Sequence, residues 1–390
     1  MRRREFALVC LGIAAIYVPA SLFPAPDIRI FLTPWLRHIE QFGPIGAFAH
    51  PFSNYSPPYL YLLSLASLLH WPELAAIKLI SVASVCWLSW SVSRLAAAFE
   101  SDPLPAAAIT FVIPTVILNG PVLGQCDTIW AGCCVLAVAS AAKGRSGSMG
   151  AWAGLGFAVK AQAAFAAPFC LAFVIRKRTW AVILIPPLIY LAAILPASLA
   201  GWPITDLLTI YARQASHPSL LSYAPNLWAI PTSLYLFDLP HGLAFLAAVL
   251  TAVAAAGYVV LVARNGAGGG PLETALLSAL LMPYLLPNMH ERYFFLADVL
   301  AFVAAYVRRD RISFLIAVLV QLGSFLSTIG YVWFLFGSLM GERVLNAVGS
   351  LAMTAAVVLT WAVVLGAPAL ARKRDTTRQM SINSKAGGIP

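Results

Sequence analysis

The sequence predicts an all-α fold: a polytopic transmembrane helix bundle of about twelve crossings. Three observations carry that expectation. Of 390 residues, 61% are hydrophobic and only 10% are charged. The mean hydropathy is +0.83, which leaves too little polar surface for a water-soluble globule of this size. Long apolar runs recur along the whole chain, and a bilayer accepts each as a helix whose backbone hydrogen bonds close internally. The net charge of +10 would suit nucleic acid in a soluble protein. Here the basic residues sit in short clusters between apolar runs, so they report topology, and no nucleic-acid partner is expected.

The first run, 5–23, follows MRRR. Its charge-then-apolar order is that of a signal peptide, but no small-x-small cleavage site follows, so it is read as an uncleaved first span. Further runs cover 73–97, 104–118, 128–142, 149–159, 163–175, 180–199, 242–263, 271–286, 293–307, 312–334 and 344–370. Several fall below the ~20 residues of a full crossing, which predicts short, tilted or broken helices inside the bundle. The whole chain, 1–390, is expected to form one integral membrane domain, with a long outer loop at 24–72 and a cytoplasmic tail at 371–390. The six cysteines show no metal-type or redox-type spacing, so neither zinc nor a disulfide framework is indicated.

One apolar stretch, 57–69, decides the parity of everything after it. If it does not cross, MRRR, Arg94, Lys143 to Arg145, Arg176 to Arg178, Arg264, Arg308 to Arg311 and the basic tail all share one side. That side then holds 18 of the 25 Lys and Arg residues, the positive-inside signature of a cytoplasmic face. If it crosses, the bias disappears. The stretch is therefore expected to be a re-entrant or interfacial helix, with both termini cytoplasmic. Ahead of it, Ile28, Phe31, Leu32, Trp35, Leu36 and Ile39 recur at helical spacing, which predicts an amphipathic helix in the interface.

The opposite face collects most of the polar residues. Asp27 precedes the amphipathic helix, where it could be an N-cap or a reactive carboxylate. Gln125 and Asp127 stand in GQCD between two apolar runs, where polar groups are costly unless they face a cavity or a partner. Lys160 interrupts the apolar hairpin GLGFAVKAQAAF. His290, Glu291 and Arg292 stand together where another run ends, and snorkelling to the headgroups accounts for one of them but hardly for three. Cations at membrane level suit a phosphate, which Arg binds bidentately and Lys binds as a point charge. A carboxylate beside them could take a proton from a hydroxyl. Transfer of a sugar from a lipid phosphate would use those parts, because the phosphate leaves as a stable anion and one base suffices.

The ordered motifs PDIRIFLTPWLRHIEQFG, NYSPPYLYLL, GQCDTIWA, GLGFAVKAQAAFAAPF, APNLW and MHERYFFLADVL run from Asp27 to about Asp298. As a set they resemble the bacterial branch of the GT-C membrane glycosyltransferases, the group related to the second mannosyltransferase of GPI-anchor assembly. The resemblance implies a hexosyltransferase, mannosyltransferase-like, in the bacterial inner membrane. It implies an extracytoplasmic site, a polyprenyl-phosphate sugar donor, a lipid-linked or periplasmic glycan acceptor and inversion at the anomeric carbon. It implies that Asp27 is the catalytic base. Gln125 and Asp127 would shape the site or hold the acceptor, and Lys160, His290 and Arg292 would meet the donor phosphate. Tyr55, Gln162 and Glu291, from the same motifs, complete the expected substrate-binding set. Asn54 stands where family members often carry an acid, which removes the basis for a second carboxylate there. No cofactor is expected, and a divalent cation is allowed by the remaining acids but not required. The alternative is a transporter or flippase of lipid-linked sugars, which would place polar residues at mid-membrane between inverted repeats. Here they gather at one interface and no repeat is visible.

Overall fold

The computed structural model describes residues 3–214, 223–233, 243–265, 270–335, 337 and 339–366. The expected tail at 371–390 lies outside the described residues, as do 215–222, 234–242 and 266–269. Among those described there are seventeen α-helices and no strand.

Helix α1 (Arg3–Ser21) is followed by Asp27, a π-helical turn Ile28–Leu32 and α2 (Thr33–Phe42). Ile28, Leu32, Trp35, Leu36 and Ile39 are buried as the spacing predicts. Phe31 is not. It is exposed together with Ile30, because the wider i→i+5 turn rotates it off the stripe that 3.6 residues per turn would give. Next comes α3 (Pro57–Ser67), the stretch on which the topology turned. Its 11 residues span about 16 Å at 1.5 Å per residue, about half of a ~30 Å hydrocarbon core. It packs on α2 and on α4 (Glu73–Ala98), and Arg37 of α2 pairs with Glu73 at the start of α4, Nε to Oε1 2.5 Å.

The run 104–118 is broken. It becomes α5 (Pro103–Thr110) and α6 (Pro114–Ile117), the latter continued by a π turn Leu118–Val122, with a bend of 54° between the halves. Pro114 disfavours helical geometry at Ile113, which is extended, so the first half ends there. Helix α7 (Asp127–Ala142) then runs antiparallel to α8 (Ser146–Val159). Gly156 lets them close up, since a Cβ there would lie 3.3 Å from the Trp130 carbonyl oxygen and from Cys133 Cβ. Lys160 is extended and breaks the hairpin before a 3₁₀ turn and α9 (Ala167–Lys177).

The chain continues through α10 (Ile185–Leu199), α11 (Ile204–Gln214), α12 (Ala229–Ser233), α13 (Leu243–Asn265), α14 (Pro271–Leu285), α15 (Phe295–Arg308), α16 (Arg311–Leu335) and α17 (Leu339–Val364). Five helical stretches among the described residues are long and apolar enough to cross a bilayer, or six with the bent pair. Others, including α7 and α14, are apolar but shorter, as the run lengths predict. With 16 residues, α7 carries the chain about 24 Å from Asp127 to Lys143. The hairpin partner α8 returns from Arg145 to Lys160, and α15 leads from the His290 loop to Arg308. Basic clusters thus cap one end of these helices, and the polar motif residues gather at the other.

Candidate active site

The motif residues converge although they come from distant parts of the chain. Asp27 Oδ2 accepts a hydrogen bond from Gln125 Nε2 at 2.7 Å and pairs with Arg292 at 3.3 Å. Asp27 does not cap the helix it precedes, since its side chain makes no cap hydrogen bond. Its Oδ1 accepts no hydrogen bond among the described residues, and the side chain keeps 22% of its surface. Of the two readings open in the sequence, the geometry therefore turns this carboxylate toward the cluster.

Asp127 is the centre of the buried part. Its Oδ1 accepts from Lys160 Nζ at 2.5 Å and from Trp130 Nε1 at 2.7 Å. Its Oδ2 accepts from Asn119 Nδ2 at 3.0 Å and lies 3.7 Å from Arg292 Nε. At 2% exposure such a carboxylate is tolerable only when paired and fully hydrogen-bonded. Lys160 is equally enclosed, and its ammonium lies 5.5 Å from the centre of the Tyr55 ring, a cation–π contact. Arg292 joins the halves of the site, for it also donates to Glu291 Oε1 at 2.9 Å.

His290 and Glu291, in the loop between α14 and α15, both have shifted pKa values. Burial, and then the neighbouring charges of Arg292 and Lys160, lower the His290 pKa to about 4. The ring, with 40% of its surface open, is therefore neutral near pH 7 and can donate one N–H and accept at the other nitrogen. Burial raises the Glu291 pKa, and Arg292 opposes that rise. The APNLW motif holds this loop in place: Ala224 N donates to Met289 O at 3.1 Å, Asn226 Nδ2 to Leu286 O at 3.2 Å and Trp228 Nε1 to Leu285 O at 2.8 Å. Gln162 is buried, and among the described residues its Oε1 has no hydrogen-bond partner and the side chain makes no hydrogen bond to Asp27 or Asp127.

The turn carrying Gln125 is set by residues the sequence reading passed over. Lys78, buried in α4, donates to Pro121 O and Val122 O, each at 2.6 Å. It thereby neutralises carbonyls at the C-terminal end of the π turn. Gly124 follows with φ +68°, and a Cβ there would sit 2.7 Å from Ile28 Cδ1. Only glycine lets this turn lie against the segment after Asp27, which brings Gln125 within reach of the carboxylate. A lone lysine in a 26-residue apolar helix was the available signal for Lys78. Asn119 and Trp130 gave none, because their role depends on where Asp127 points.

Chemically, the site offers a partly exposed carboxylate with one oxygen that accepts no hydrogen bond among the described residues, a guanidinium beside it, a neutral imidazole and a buried Lys–Asp pair that fixes the floor. A sequence model for Glycosyltransferase family 87 matches residues 52–287. Asp27 and the His290–Arg292 loop lie outside that stretch and are joined to it by the contacts above. No curated protein matches the chain.

Proposed function

The chain belongs to glycosyltransferase family 87, the match spanning more than half of its 390 residues, and on that premise we propose that it transfers a hexose from a polyprenyl phosphate to an acceptor hydroxyl on the non-cytoplasmic face, with inversion. Asp27 is the general base. Its Oδ1, which accepts no hydrogen bond among the described residues and is held beside Arg292, is the observation that carries the reading. The acceptor O–H gives its proton to Oδ1 while the oxygen forms a bond to the anomeric carbon. The bond from that carbon to the phosphate oxygen breaks, and the phosphate keeps the electron pair. Gln125 fixes the Asp27 side chain through Oδ2, so the base is oriented before the acceptor arrives.

Arg292 and the neutral His290 meet the donor phosphate. In this reading Lys160, held by Asp127 at 2.5 Å, serves the phosphate indirectly. It anchors the floor, and its charge reaches the phosphate only through space. Mannose is the favoured sugar by resemblance to the GPI mannosyltransferase group. The basic clusters at the far helix ends support an extracytoplasmic site under the positive-inside rule, in a multi-pass protein of the bacterial inner membrane. A flippase is disfavoured by the grouping of ionisable residues at one end of the helices.

Donor class is tested with membranes containing or lacking the protein. Radiolabelled polyprenyl-phosphate mannose should pass label to a lipid or glycan acceptor only in its presence. Direct transfer from a nucleotide sugar in membranes freed of polyprenyl phosphate contradicts the proposal. Mass spectrometry of lipids and glycans from a deletion strain then identifies the missing sugar.

A further inference from the structure

Arg292 and Glu291 also line a cavity of about 10 Å³, the room of one water molecule or one hydroxyl group. Asn119, Asp298, Ser324 and Phe295 complete the relevant wall. Among the described residues eleven buried side-chain polar atoms lack a hydrogen-bond partner, and five of them belong to residues of this one wall: Asn119 Oδ1, Glu291 Oε2, Arg292 Nε, Asp298 Oδ1 and Ser324 Oγ, with the Ser324 and Thr115 hydroxyls close to the Asp298 carboxylate. Asn119, Glu291, Asp298 and Ser324 are each at most 3% exposed. Buried polar atoms are ordinarily paired, so such a concentration points to an occupant.

The chemistry of the wall selects among occupants. Three of the five atoms accept hydrogen bonds, one donates and the serine does either. A phosphate, which only accepts, would face two carboxyl groups. An isoprenoid chain would leave every one of these atoms unpaired. A bare cation would share a space of one water with the Arg292 guanidinium. A hydroxyl pairs with three of the five, giving its one proton to a carboxylate or amide oxygen and taking hydrogen bonds from Arg292 and Ser324. Phe295 and Asp298, three residues apart on α15, lie on one face. The wall thus sets an aromatic ring beside a carboxylate, around a space that admits one hydroxyl and no sugar ring.

We propose that this cavity is a subsite receiving one hydroxyl of the transferred sugar, so that Asn119, Asp298 and Ser324 discriminate among hexoses. The subsite rests on the transferase reading above and deepens it, placing the sugar next to the guanidinium that holds its phosphate. Asp298 and Ser324 take no part in proton transfer.

The test compares the polyprenyl-phosphate hexose turned over by wild-type membranes with its monodeoxy analogues at C2, C3, C4 and C6. In the wild type one analogue should lose about 10²-fold or more in kcat/KM, as expected when a site built to bind a hydroxyl meets a ligand without it. Ser324→Ala should shrink that one penalty roughly tenfold and leave the other analogues' ratios unchanged, and Asp298→Asn should act in the same direction. Melting temperatures of the purified variants show whether they are folded, and the ratios among analogues are internal to each variant. Penalties shared evenly by all analogues, or a penalty unmoved by both substitutions, overturn the subsite. Failure of the wild type to use any polyprenyl-phosphate hexose overturns the donor reading and the subsite with it.

Discussion

Replacing Lys160 with methionine is expected to lower folding stability by about 3 kcal/mol. The ammonium and the Asp127 carboxylate are 2.5 Å apart, with 7% and 2% of their side chains exposed. At an effective dielectric of 20 their attraction is about 7 kcal/mol, most of which offsets the cost of removing both charges from solvent. The loss on mutation comes from the other side of that balance: Asp127 stays buried without its nearest counter-charge. Breaking one half of such a pair costs about 3–5 kcal/mol. Trp130, Asn119 and Arg292 remain within reach of the carboxylate, so the low end applies. Unfolding in detergent micelles, followed by tryptophan fluorescence, should show the single variant melting several degrees below the wild type. Lys160→Met combined with Asp127→Asn should recover at least half of the loss, because an amide needs no counter-charge. A single variant as stable as the wild type, or a double variant weaker than the single, refutes the pairing as the floor of the site.

Gly124→Ala forces a side chain into a left-handed conformation and against Ile28 Cδ1. It should cost about 1–3 kcal/mol and lower kcat more than it changes KM, a split that kinetics on solubilised protein resolves. The depressed pKa of His290 means that the unfolded chain binds its proton more readily. Stability should therefore fall as pH drops from about 6.5 to about 4. His290→Gln should reduce that acid sensitivity and leave the shape of the pH–rate profile between about 5 and 8 unchanged, and loss of a limb near 6.5 contradicts a neutral ring. For topology, cysteines at Ile45 and Arg145 in a cysteine-depleted background should react oppositely with an impermeant thiol reagent. Ile45→Cys is labelled on intact cells and Arg145→Cys only after permeabilisation, and the reverse pattern contradicts the orientation.

Much of the architecture was legible because hydrophobic runs and their exceptions report different things. Run boundaries follow the bilayer constraint, so α13, α14 and α16 begin and end within a few residues of the apolar runs that predict them. The exceptions, Asp27, Gln125, Asp127, Lys160 and Arg292, are costly at membrane level unless they meet each other, and the contacts show that they do. What was hidden is set by orientation. Phe31 left its expected stripe through a π turn, which hydrophobic spacing does not encode. Asp27 had equal claims as cap and as reactive group, and only its partners on the turn after α6 and on the loop before α15 show that it does not cap. Lys78 acts on backbone carbonyls 43 and 44 residues away.

The most direct test of the account is the turnover of Asp27→Asn in membranes supplied with polyprenyl-phosphate mannose. The asparagine can still meet Gln125, so the protein should insert and melt like the wild type. Its transfer rate should fall by about 10²–10⁴-fold, the usual contribution of a general base. Near-normal transfer by a properly folded Asp27→Asn protein would contradict the assignment of Asp27 as the base.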